Sequence, residues 1–145
     1  MKLKIIHPYD ELSDPAFQTE DCKLLQKIYG EYYPKVGFEI PWVGYYMLHE
    51  EEVVGSCGFT SAPVDGVVEI AYWTFTPFEG KGMASEACKL LVSLALKTNA
   101  ALRIVAKTAP MKNASTRILE KNNFAFDTIV TDHEIGDAWL WVYQK

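Results

Sequence analysis

The chain has 145 residues, 49% of them apolar and 13% aromatic, and a formal net charge of −5. That suffices for one well-filled core and is short for two domains, while the apolar content excludes a disordered chain. An acidic balance with no basic run longer than a pair argues against nucleic acid as a partner.

Lys2 to Ile6 reads as a first strand, ended by His7-Pro8. This start is too short and too quickly broken for a secretory signal, and no apolar run approaches membrane-spanning length. A cytoplasmic protein without membrane attachment is therefore expected. From Pro15 to Tyr33 the pattern is helical, with Leu24, Leu25, Ile28, Tyr29 and Tyr32 on one face. Gly30, Pro34 and Gly37 punctuate it, which predicts two short helices or one broken one. Trp42 to His49 and Val53 to Thr60 read as a hairpin around Glu50-Glu51-Glu52.

After the turn Pro63-Val64-Asp65-Gly66, Val67 to Phe75 alternates as a strand. Val68, Ile70 and Tyr72 take one face; Glu69, Ala71 and Trp73 take the other. Met83, Ala84, Ala87, Cys88, Leu91, Leu94 and Ala95 make a helical stripe running to about Thr98. Leu102 to Lys107 is a short apolar strand. Asn113 caps a helix reaching about Asn122, with Ile118 and Leu119 inward. Phe124 to Thr131 and Trp139 to Tyr143 close the chain as an antiparallel pair. The whole predicts a single mixed α/β domain over residues 1–145, with one strand–helix–strand crossover.

Cys22, Cys57 and Cys88 lack metal-ligand spacing and read as reduced thiols, so no metal is expected. Cys88 lies on an apolar helical face and reads as packing. His7, His49 and His133 fall in turns or termini and are given no chemistry. Tyr32, Tyr33, Phe38 and Trp42 divide between core and pocket lining, with at least half expected in the core.

The crossover carries the functional signal. Between strand and helix stands Phe75-Thr76-Pro77-Phe78-Glu79-Gly80-Lys81-Gly82-Met83-Ala84-Ser85-Glu86-Ala87. Amides at a helix start have no intrahelical acceptor, and the macrodipole adds positive charge there. Gly80 and Gly82, lacking Cβ, let a ligand approach the backbone, so the turn suits a phosphate.

Glu69-Ile70-Ala71-Tyr72-Trp73, this glycine turn, and Asn113-Ala114-Ser115 with Leu119-Glu120-Lys121-Asn122-Asn123-Phe124 together resemble the GNAT acyltransferase superfamily. The likeness is nearest to the branch that includes the ribosomal-protein N-terminal acetyltransferases, and it covers residues from about 43 to 143. It implies a central, mostly antiparallel sheet with one splayed parallel pair, and acetyl-CoA as co-substrate. By that resemblance, amides of Gly80, Lys81, Gly82, Met83, Ala84 and Ser85 would hold the pyrophosphate. Main-chain groups near Trp73, Phe75 and Thr76 would take the pantetheine arm, and Asn113 would reach the coenzyme. Glu79 departs from the family's Gln or Arg and receives no ligand role. Asn123 stands where glycine is usual and should tolerate positive φ.

Glu69 is the candidate base and Ser115 the candidate acid, since the tyrosine many members carry two helical turns beyond the Asn113 position is missing. Thiolate departure without an acid is the alternative. The expected reaction is acetylation of a primary amine on a small molecule or a protein N-terminus, by direct attack; a homodimer is compatible with the sequence. A non-catalytic acyl-CoA sensor remains the competing reading. A dinucleotide-binding oxidoreductase lacks its third glycine and its downstream acid.

Overall fold

A computed structural model describes residues 1–8, 13–134 and 136–145. Its elements are β1 (Lys2–Ile5), α1 (Glu20–Val36), β2 (Gly44–His49), β3 (Glu52–Phe59), β4 (Val67–Thr74), α2 (Met83–Thr98), β5 (Arg103–Thr108), α3 (Ala114–Lys121), β6 (Phe124–Asp132) and β7 (Gly136–Tyr143). Short 3₁₀ turns occupy Pro15–Phe17 and Thr76–Phe78.

The strands form one sheet in the order β1-β2-β3-β4-β5-β7-β6, in which only β4 and β5 run parallel. The crossover through α2 dictates that parallel pair, because a tight turn can reverse a strand but cannot repeat its direction. The closing pair forms as expected, with β7 also inserted between β5 and β6.

Packing against this sheet follows from α2. Ala87, Cys88, Leu91 and Ala95 are wholly buried in one cluster with Val68, Ile70 and Ile104. All three cysteines are free and buried, and burial pushes the Cys88 thiol up to about 12, so it is packing.

The first helix departs from the sequence expectation. It is continuous from the Thr19 cap, whose hydroxyl accepts from the Cys22 amide at 3.2 Å, to Gly37 at φ 92°. Pro34 sits in its last turn, where it removes one intrahelical bond, and the helix ends soon after, at Gly37. The inward stripe is Cys22, Leu25, Tyr29 and Tyr33, while Leu24 and Ile28 are 46% and 44% exposed. Specific contacts set that rotation. The Tyr33 hydroxyl donates to the Ile6 carbonyl at 2.6 Å and accepts from the Gly44 amide at 3.1 Å. The Tyr29 ring lies on Gly44, where a Cβ would come within 2.3 Å. Phe38 and Trp42 pack on the core beside Tyr33 and Phe59. Among the described residues no helix is long and apolar enough to cross a membrane, and no His/Cys/Asp/Glu group could hold a metal.

Candidate active site

The parallel pair opens into a gap. β4 and β5 are in register at Val67↔Arg103, Val68↔Ile104 and Glu69↔Val105, and there pairing stops, although the strands continue to Thr74 and Thr108. The far edge of each stays bonded: β4 to β3 as far as Gly55↔Thr74, and β5 to β7 as far as Thr108↔Trp139. Gly55 permits the first of these, since a Cβ there would lie 2.2 Å from the Trp73 carbonyl. The Glu69 carbonyl accepts from the Thr60 amide at 2.9 Å, and the Phe75 amide donates to Val54 at 2.8 Å, so odd-numbered residues use β3. By strand alternation the main-chain groups of Ile70, Tyr72 and Thr74 face the gap.

Much of the main chain named for the pantetheine arm is engaged within the fold. Phe75 has both main-chain groups engaged, its carbonyl accepting from the Phe78 amide at 2.9 Å, and Trp73 turns toward β3. The exposed Thr76 carbonyl accepts from the Glu79 amide at 3.3 Å. The unpaired main chain lies instead at Tyr72 and Thr74. Sequence patterning gives strand faces but not which edge is bonded, so it could not make this distinction.

At the end of β4 the chain turns through Gly80 at φ 74° and Gly82 at φ 80°, the left-handed region that favours glycine. A Cβ built at either would meet nothing within 4 Å, so the surface there is open backbone. Gly82 caps α2 without any side-chain bond, and the first helical bond runs from the Glu86 amide to the Gly82 carbonyl at 3.1 Å. The amides of Met83, Ala84 and Ser85 are left without intrahelical acceptors at the positive end of the dipole. Lys81 is exposed beside them, its Nζ 5.9 Å from the Phe78 ring centre, and Glu79 is exposed as well.

On the α3 side, Asn113 forms a capping box: its Oδ1 accepts from the Thr116 amide at 3.2 Å and its own amide donates to Thr116 Oγ1 at 2.9 Å. Its amide Nδ2 is not used in that cap. Ser115 is half-buried, and its carbonyl accepts from the Tyr72 hydroxyl at 3.3 Å, which ties β4 to the first turn of α3. Burial pushes the Tyr72 phenol above its ordinary range, keeping it neutral. Asn122 braces the two helices. Its Nδ2 donates to Ser85 Oγ at 3.0 Å and to the Ile118 carbonyl at 2.8 Å, and its buried Oδ1 has no protein partner. Neither Tyr72 nor Asn122 stood out in the sequence as a site residue; both matter through partners 43 and 37 positions away. Asn123 adopts φ 69°, as its residue type allows.

The opposite sheet face carries Glu69 and Trp73. The Glu69 side chain is 25% exposed, its Oε1 3.4 Å from Lys107 Nζ, which is in turn 3.7 Å from Asp132 Oδ2. Burial pushes the Glu69 carboxyl up; Lys107 opposes this and Asp132 adds to it, leaving the pKa raised. Trp73 is partly exposed and stands edge-on to Phe75 with ring centres 5.0 Å apart. An open groove of about 1250 Å³, lined by Lys4, Phe17 and Glu52, meets the glycine turn at Phe75 and Phe78 but does not include Glu69.

The family profile described as "Acetyltransferase (GNAT) domain" matches residues 12–125. The chain belongs to the GNAT acetyltransferase family. It is 33% identical over 85 residues to the uncharacterized N-acetyltransferase p20 of Bacillus licheniformis, a stretch covering 58% of this chain and 48% of that protein. The chain thus spans about half the length of the curated relatives it matches. Two solved acetyltransferase structures share the fold. The RimL ribosomal L7/L12 α-N-protein acetyltransferase, in complex with coenzyme A, superposes with a TM-score of 0.65 at 18% identity, over 90% of this chain and 76% of that one. The aminoglycoside acetyltransferase AAC(6')-Ib, also with coenzyme A, gives 0.60 at 22% identity, over 71% and 66%.

Proposed function

We propose that residues 1–145 form one catalytic domain that transfers acetyl from acetyl-CoA to a primary amine, on a small molecule or a protein N-terminus, by direct attack in a ternary complex. One juxtaposition supports this best: an uncapped helix start with open glycines stands at the mouth of a gap between two parallel strands. Both solved relatives above hold coenzyme A.

The residues present fit such a molecule. Amides from Gly80 to Ser85 can receive a pyrophosphate, with Lys81 supplying an exposed positive charge. Main-chain groups of Tyr72 and Thr74 can receive an arm lying in the gap. When bound, acetyl-CoA supplies the thioester. An incoming amine is mostly ammonium at neutral pH, with pKa about 8 for an α-amine and about 10.4 for a lysine. Glu69 takes its proton, directly or through a water. A C–N bond then forms, main-chain donors steady the oxyanion, and the C–S bond breaks to release thiolate, with Ser115 as candidate proton donor. The buried thiols suit a reducing compartment, and we place the protein in the cytoplasm, acting on neither nucleic acid nor membrane.

A panel of amines incubated with acetyl-CoA, with products read by mass spectrometry, tests the activity. With the best acceptor, Glu69→Gln should lower kcat/KM by about 100-fold or more near neutral pH while coenzyme affinity, by calorimetry, stays within about twofold. The sign of the pH effect is fixed. A base with raised pKa works only when deprotonated, so the parent's rate falls as pH drops through a value above the ordinary glutamate range. The variant should lack that limb, and the two curves should converge in acid. Superimposable profiles would remove Glu69 from the role. The sensor reading draws on α3, which carries Glu120-Lys121-Asn122 where the tyrosine of many relatives would stand. Tight coenzyme binding with no amine acetylated would favour it.

A further inference from the structure

We infer that Lys107 is a positioning residue, a clamp whose ammonium bridges Glu69 and Asp132 across the opening between β4 and β5 and so fixes the Glu69 carboxylate and its affinity for a proton. Its use in catalysis rests on the reading of Glu69 as the base; the clamp itself does not.

The placement is specific. Main-chain pairing between the two strands ends at Glu69↔Val105, and Lys107 is the next residue of β5 on the same face as Val105. The ion pair therefore joins the two strands just beyond their last register pair, at 3.4 Å, where the backbone no longer holds them. The groups around Glu69 come from three other elements. Lys107 approaches from β5 and Asp132 from the end of β6. Tyr32 approaches from α1, its hydroxyl donating to the Thr60 carbonyl, and its phenol feels both Glu69 and Glu134. Of these Lys107 alone is cationic, and two carboxylates share it. The Glu69, Lys107 and Asp132 side chains are a quarter to a third exposed, so screening weakens the attraction without removing it.

Two substitutions act with opposite sign. Lys107→Met removes the cation that faces Glu69 and leaves Glu69 facing Asp132, so Glu69 should bind its proton about tenfold more tightly. Asp132→Asn removes the competitor for Lys107 and a like charge together, so Glu69 should bind its proton several-fold more weakly. Lys107→Arg should stay near the parent. A purely structural role would lower the melting temperature without this reversal.

The experiment is a ¹³C NMR titration of carboxyl-labelled Glu in the parent and the three variants, with the Glu69 signal assigned by its loss in Glu69→Gln. Opposite displacements in Lys107→Met and Asp132→Asn establish the clamp. An unmoved midpoint in Lys107→Met, or displacement in the same direction in both, overturns it; if Lys107→Met does not fold, Asp132→Asn decides alone. The acid limb of kcat/KM, measured in parallel, tests the base. Midpoints that move while the limb stays put would sink Glu69 as the base and leave the clamp standing.

Discussion

Two of the turns that pass through left-handed backbone use it differently. The β2–β3 hairpin reverses through Glu50 at φ 50° and Glu51 at φ 67°, between the paired residues His49 and Glu52. The turn before α2 passes through Gly80 and Gly82 at φ 74° and 80°. A two-residue hairpin of this kind favours Asn-Gly, and a Cβ in that region costs roughly 1 kcal/mol or more per residue. The hairpin tolerates two adjacent like-charged side chains because it only has to reverse the chain. Where amides must be reachable, both left-handed positions are glycine. Positive φ alone does not lay main chain open; positive φ with the side chain removed, beside an uncapped helix start, does.

The contrast can be broken or sharpened. The largest effect is expected for Gly82→Asp, which adds a strained Cβ and a negative charge where phosphate would sit. Coenzyme A affinity measured by calorimetry should fall by about 100-fold, or about 3 kcal/mol; unchanged affinity would remove the turn from the binding site. Next comes the hairpin. Glu50→Asn with Glu51→Gly should raise stability by about 1 kcal/mol, seen as a melting temperature about 3 °C higher, with coenzyme affinity unaltered. A change in affinity there would mean the two turns are not independent. Smallest is Lys81→Ala, expected to weaken coenzyme A by about two- to threefold at low salt and less at high salt, because an exposed charge is screened. A tenfold loss would shift the turn's work from main chain to side chain.

The same contrast explains how much could be read in advance. The glycine turn and the α3 cap were legible because their chemistry is local: a residue without Cβ, a helix start, an Asn at the cap. The alternation of β4 was legible too, and Val68, Ile70 and Tyr72 do face inward together. The rotation of α1 was not, because Tyr29 and Tyr33 lock onto Gly44 and Ile6, and no local pattern ranks those contacts above Leu24 and Ile28. Nor could the sequence show that Phe75 spends both main-chain groups within the fold, or that Glu69 shares Lys107 with Asp132. Those facts belong to strand edges and to residues brought together only by the sheet.

Both walls of the opening are braced from behind. β4 leans on β3 to its last residue, β5 leans on β7 to its last residue, and Trp141 Nε1 donates to Thr108 Oγ1 at 3.0 Å at that very end. With both outer edges bonded, the opening is formed by the folding of the sheet, so for any molecule that lay in it the cost of ordering those walls would fall on folding rather than on binding.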